Sequence, residues 1–193
     1  QTMLKSLSER GWVDYRPYAG VRLTDEGRRI AAGVLRRHRL MELFLVEILG
    51  LDWVEVHEEA ERLEHAMSPV LEERMKAAIG EAKTCPHGHP IEGVREQGAP
   101  LVDVDVGASV VVLRFENEAE SLLHYLKDVG LEPGLEGTVA SSDDEKVVVS
   151  AADGEHELTR TVAETVTVRA DPAPPSRAAL PDQLVLSEDR YGR

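Results

Sequence analysis

Apolar positions along this chain recur first with the period of a helix and, in its second half, with the period of a strand. Met3, Leu4 and Leu7 have helical spacing, and Gly11 ends that segment. WVDYRP and GVRLT read as two short strands about a turn from Pro17 to Gly20. Thr24 is a cap candidate for a long helix that runs to about Leu49, where Gly50 stops it. A second helix is predicted from Asp52 to Met67, with Asp52 as N-cap and Glu55 as its capping-box partner. Its apolar stripe is Val56, Ala60, Leu63 and Met67. Ser68-Pro69 opens a third helix that ends at Gly80. Val70, Leu71, Met75 and Ile79 on it form a surplus apolar face, the kind that makes a dimer contact.

KTCPHGHPIEG follows, a Pro/Gly-rich segment in which Cys85, His87 and His89 could form a metal loop, although a rigid turn with exposed histidines is the reading favoured. Residues 96–106 read as a linker. SVVVLRF, LEGTVAS, KVVVSA, HELT and TVTVRA are then short Val/Thr-rich strands, interrupted by a helix from about Glu118 to Asp128. Five such strands suggest a small, partly open barrel of the SH3 type. From Asp171 the chain reads as a proline-rich, mobile tail. The fold expected is α+β and multi-domain. Residues 1–24 form the back half of a winged helix-turn-helix, 25–95 a helical domain, 107–170 the SH3-like barrel and 171–193 the tail.

Charge changes this picture in one respect. The net charge of −14 argues against nucleic acid as a partner of the whole chain. Residues 1–40, however, hold nine Lys/Arg against four Asp/Glu, while the remainder holds 13 against 32. A basic N-terminal piece on an acidic body is the footprint of nucleic-acid contact. No apolar run is long enough to span a membrane, and a single cysteine excludes an internal disulfide framework, which fits a cytoplasmic protein.

The candidate chemistry lies beside the apolar stripe of the second helix. His57, Glu61, Glu64 and His65 share one helical face, because side chains three and four apart lie over one another. On the preceding helix His38 and Glu42 are again four apart. The short connection at residue 50 favours antiparallel neighbours, which brings positions 38–42 level with about 59–63. Imidazole and carboxylate donors facing each other across such a hairpin suit a divalent cation better than a solvated polar face.

The motifs H-R-L-x-E, V-H-E-E-A and E-H-x-M-S at these separations, followed by CPHGHPIEG, resemble the diphtheria toxin repressor and manganese transport regulator family. The likeness is close over residues 1–95 and looser over the barrel. It implies a dimeric, metal-activated transcriptional repressor that binds a palindromic operator through the major groove. By the same resemblance His38, Glu42 and His57 match an ancillary metal site, and Glu61, Glu64 and His65 match the activating site. Glu61 stands where iron-type members carry cysteine, so Mn²⁺ is expected ahead of Fe²⁺, although His57 is an iron-type feature. The family's activating site takes further ligands from a first helix that this chain lacks. Two barrel residues complete the iron-type ancillary site; here Glu116, Glu118 and Glu120 are the candidates. Gln1 and Thr2 fall in the implied recognition helix, with Lys5, Arg10, Arg16 and Arg22 as phosphate contacts.

Two other classes stay open on the residues alone. Paired-helix clusters also build dimetal oxidases, which need Glu-x-x-His on two helices, whereas Glu61-x-x-Glu64 stands here. A zinc peptidase would need a second histidine where HEEAE has glutamate. A dimeric metal-binding module that never touches DNA is the third reading.

Overall fold

The structure is a computed structural model and describes residues 2–16 and 20–171, of which Thr2 is described in its backbone only. The described residues divide into two compact units, one up to Leu35 and the other from Arg36 onward. Gln1, the Pro17–Ala19 turn and the expected tail beyond Asp171 lie outside the described residues.

The first unit opens with helix α1, Thr2–Glu9. Gly11, with φ of +72°, turns the chain out of it. Strands β1 (Val13–Arg16) and β2 (Gly20–Leu23) pair antiparallel, with Val13 opposite Leu23 and Arg16 opposite Gly20. Thr24 then performs the capping its sequence predicts. Its Oγ1 accepts from the Gly27 amide at 3.0 Å and donates to the Gly11 carbonyl at 2.7 Å. The helix start is pressed so close to the hairpin that a Cβ on Gly27 would fall 1.9 Å from the Trp12 carbonyl oxygen. Helix α2 begins here and runs from Asp25 to Glu47.

In the second unit α2 packs with α3 (Val56–Glu64) and α4 (Pro69–Ile79) through Leu40, Leu43, Val56, Ala60 and Met75. Ser68 caps α4 by accepting from the Leu71 amide at 3.2 Å, with Pro69 at the first helical position. The barrel follows: β3 (Ala99–Pro100), β4 (Ser109–Phe115), α5 (Glu120–Asp128), β5 (Glu136–Ser142), β6 (Lys146–Ala151), β7 (Gly154–Thr159), α6 (Arg160–Ala163) and β8 (Val166–Asp171). The strands lie in the order β3-β8-β4-β5-β6-β7, each antiparallel to its neighbours. Irregularities at Val112/Arg114 and Val139/Ser141 bend the long strands, as curvature of so small a sheet requires. Phe115, Leu123, Leu126, Val139 and Val149 fill the interior. Such an α+β arrangement, helices followed by an SH3-like barrel, is the fold class the sequence predicts.

The chain departs from expectation at three places close to the candidate ligands or the barrel core. The second helix starts at Val56, four residues later than predicted. Asp52 instead caps a turn, accepting from the Val54 amide at 3.2 Å, and its carboxylate pairs with Lys127. That turn frees Val54 to enter the barrel core and sets Trp53 against Phe115, with ring centroids 6.0 Å apart. The stretch 96–106 does more than link, because β3 pairs with β8 and both Leu101 and Val104 are buried in the barrel. Finally, α5 starts at Glu120, so Glu118 stays in the loop, where Asn117 Oδ1 accepts from the Ala119 amide at 3.0 Å.

Candidate metal centre

The turn at residues 83–91 is closed by backbone hydrogen bonds, but its histidines are not exposed. The Cys85 amide donates to the His89 carbonyl at 2.8 Å, and the Ile91 amide to Lys83 at 2.9 Å. Gly88, with φ of +87°, lies against β4 so closely that a Cβ would fall 1.9 Å from the Leu113 carbonyl oxygen. The Phe115 amide donates to the His87 carbonyl at 3.1 Å and fixes the turn to that strand. Docking of this kind turns Cys85, His87 and His89 inward, all three buried. The expectation of a solvent-facing turn is corrected on this point.

Glu42 on α2 is the hub on which the donors converge, and it is fully buried. Its Oε1 lies 3.0 Å from His38 Nε2, 3.0 Å from His57 Nδ1 and 3.1 Å from His87 Nδ1. Glu118 reaches in from the barrel loop, with Oε2 3.3 Å from His57 Nδ1 and Oε1 3.7 Å from His87 Nδ1. The Nε2–H of His89 donates to the Phe115 carbonyl at 2.7 Å and lies 3.1 Å from Glu118 Oε1, which steadies that carboxylate. Two overlapping donor sets result: His38, Glu42, His57 and Glu118, and Glu42, Cys85, His87 and Glu118, the atoms of each within 4.8 Å of one another.

Electrostatics and hydrogen bonding both fit a cation in this space. Burial alone would raise the Glu42 carboxyl, yet the imidazoles of His38, His57 and His87 hold it well below the usual carboxylate range. Burial would lower His38, but Glu42 and Glu64 raise it to about 9. Burial, then the charges of Glu42 and Glu118, push the Cys85 thiol well above its ordinary value. Within the cluster, two buried atoms, Glu42 Oε2 and His87 Nδ1, have no hydrogen-bond partner among the described residues. His87 Nδ1 is close to Glu42 but lacks the alignment of a hydrogen bond. Orphaned buried acceptors are costly, and a cation satisfies both. The tautomers agree with that role. His87 Nε2–H donates to the Trp53 carbonyl at 2.9 Å and His38 Nδ1–H to Glu64 Oε2 at 2.7 Å, which leaves the opposite ring nitrogen of each facing the cluster.

The remaining predicted residues separate clearly. Of the three barrel glutamates only Glu118 enters the cluster. Glu116 is occupied by Arg95 at 2.6 Å, Arg114 at 2.9 Å and Thr167 at 2.6 Å, and Glu120 is exposed. Glu64 is buried against His38, whereas Glu61 and His65 are exposed, and His65 Nε2 lies 3.5 Å from Glu64 Oε1. The structure therefore does not gather Glu61, Glu64 and His65 into a second closed cluster. In the first unit Lys5, Arg10, Arg16 and Arg22 are all exposed. Gln1 and the Thr2 side chain lie outside what the structure describes.

Residues 24–93 match the family model of the iron dependent repressor metal binding and dimerisation domain, and residues 99–170 match the FeoA domain. A manganese-dependent transcriptional repressor solved in complex with manganese is similar with a TM-score of 0.78 and 34% identity, over 86% of this chain and 80% of that one. The chain belongs to the iron-dependent repressor family. Another member, the iron-dependent repressor IdeR of Mycobacterium leprae, is 35% identical over 144 residues, which are 66% of this chain and 63% of that protein. This chain spans about three-fifths of the length of the curated relatives it matches. T. acidophilum IdeR gives a TM-score of 0.74 at 27% identity, covering 86% of this chain and 79% of that one. Such relatives are transcriptional repressors, which sets the dimetal-oxidase and peptidase readings aside.

Proposed function

We propose that this chain is the metal-sensing part of a dimeric, DNA-binding repressor that responds to Mn²⁺ or Fe²⁺ and acts on a palindromic operator in the cytoplasm. The observation that carries this reading is the buried cluster around Glu42, built from two helices, a turn and a barrel loop. His38, Glu42, His57 and Glu118 would hold the cation. When bound, it supplies the positive charge that lets buried carboxylates from helix and barrel share one space. Glu42 anchors the cluster to α2, His57 to α3 and Glu118 to the barrel. Occupancy thereby favours one arrangement of the chain, by its differential affinity and no more.

Around this centre the parts divide their work. Glu61, Glu64 and His65 serve as an outer, activating set, whose carboxylates suit Mn²⁺. Val70 and Leu71, 72% and 45% exposed, together with Leu63, Ile48 and Leu49, form the apolar surface for a second copy of the chain. Lys5, Arg16 and Arg22 meet phosphates of the operator, and Gln1 and Thr2 are the candidates for base contacts.

The test is a gel shift of the intact protein on its own promoter, with and without Mn²⁺. The expected result is a metal-dependent shift that Glu42→Ala and Glu64→Ala both abolish while gel filtration still shows a dimer. A shift that ignores metal, or that survives both substitutions, overturns the assignment.

A further inference from the structure

The buried cluster is not equally closed on all sides. The side chains of Glu42 and His87 are inaccessible and His38 is 12% exposed, whereas Glu118 is 21% and His57 30% exposed. The last two stand in the wall of one cavity of about 390 Å³, between the start of α3 and the barrel loop before α5. Glu42, His38, Cys85 and His87 do not line it. The cavity therefore touches the cluster at its two most accessible donors.

The other charged groups of that wall are all carboxylates. Glu58 and Glu59 lie in the first turn of α3, Glu55 precedes it, and Glu120 opens α5. Nearby bases offset this charge only in part. Arg62 bonds Glu58 at 2.8 Å and also holds Glu59. Lys127 feels Glu55 but is paired with Asp52, and His124 lies 3.8 Å from Glu120.

We propose that this cavity is the route by which a divalent cation reaches the cluster, and that Glu55, Glu58, Glu59 and Glu120 draw it in without being its final ligands. The inference rests on the reading that the cluster binds metal. A cleft lined by one sign of charge concentrates counter-ions and speeds their arrival. Exposed carboxylates stay hydrated and hold a hydrated ion loosely. His57 and Glu118, at the inner end, then exchange its waters for their own donors, and the oriented ring of His38 and the carboxylate of Glu42 lie behind them. Arg62 acts against this traffic, because it neutralises carboxylates at the mouth.

Co²⁺ is the probe, because a bound cobalt ion quenches a nearby indole, and Trp53 lies beside His87 with ring centroids 6.0 Å apart. The full chain carries Trp12→Phe, which leaves Trp53 as its one tryptophan, with Glu61→Gln and His65→Gln to remove the exposed outer donors. Stopped-flow quenching then gives the association and dissociation rates. With Glu55→Gln, Glu58→Gln and Glu120→Gln added together, association should slow by about tenfold, the low end for electrostatic steering, while dissociation holds. Salt at ~0.5 M should slow the parent towards that variant. Arg62→Gln should speed association by about twofold, the share of a single charge. Glu132→Gln, Asp144→Asn and Glu155→Gln, which remove three exposed carboxylates from outside the cavity, should slow it by less than about twofold. Equal slowing by both triple variants, no slowing by the first, or a change confined to dissociation overturns the route, while the quench still upholds the cluster. Absence of any quench would overturn the cluster reading and the route with it.

Discussion

Two sets of candidate ligands lie within a few residues of each other on α3 and differ in almost every physical respect. His57, with its partners on α2, the turn and the barrel, sits in a buried cluster whose rings are already oriented by carbonyls and a carboxylate. Glu61 and His65 stand in solvent with no such support. Identical residue types at helical spacing therefore have different standing. Burial and second hydrogen bonds fix a donor in place before the cation arrives, and an exposed donor must be ordered when it does. Among the described residues, Glu64 alone touches both, with one oxygen on His38 and the other near His65.

The contrast can be broken most severely at Glu42. In Glu42→Ala three imidazoles lose the carboxylate they face, which should destabilise the metal-free chain by about 1–3 kcal/mol in urea denaturation. Mn²⁺ affinity of the cluster, measured by calorimetry, should fall by ~100-fold or more, the upper range for losing even a supporting partner. Next comes the choice among barrel glutamates. Glu118→Ala should weaken Mn²⁺ binding by about 10–100-fold, while Glu120→Ala leaves it unchanged; equal effects would dissolve the assignment of Glu118.

Gly88→Ala tests whether the turn is what turns Cys85, His87 and His89 inward. The left-handed φ alone costs a side chain about 1–3 kcal/mol, the clash with the Leu113 carbonyl adds to the loss seen in thermal denaturation, and Mn²⁺ uptake should weaken with it. A milder lever is pH. His38 is raised from 6.5 to about 9 in the metal-free fold. Its protonated form thus stabilises that fold fully below pH 6.5, and the contribution is lost as pH climbs through about 9. A cation needs the neutral ring, so Mn²⁺ affinity should increase across this window, by up to about tenfold per pH unit for one released proton. Affinity that is flat between those values would show that His38 is not a ligand. The smallest effect belongs to the outer set. Glu61→Gln should change the stability of the metal-free chain by less than about 0.5 kcal/mol, and it should leave the buried cluster's affinity as it was.

How much of this was legible in the sequence depends on whether the signal was local. Thr24 and Ser68 cap the helices they precede because a cap acts within three residues. The Val/Thr strands of the barrel were readable for the same reason. Helical spacing and a short connection brought His38 and Glu42 towards the donors of the next helix, but only the family resemblance singled out His57 as their partner. Asp52 misled, since a capping box and a capped turn share their first residues, and only the barrel core decides that Val54 is needed inside. Leu101 and Val104 sit in a stretch without strand alternation, so nothing nearby marked them as core. The turn histidines were hardest. Proline and glycine announce a turn, but the strand it docks on lies some twenty-five residues further along the chain. Glu118 was one of three equal candidates until the start of α5 at Glu120 left it in the loop.

A cation held between α2, α3, the turn and the barrel loop is most directly tested by anomalous diffraction at the manganese edge from crystals of the chain grown with Mn²⁺. The expected result is a peak enclosed by His38, Glu42, His57 and Glu118. A peak confined to Glu61 and His65, or none at all, would contradict it.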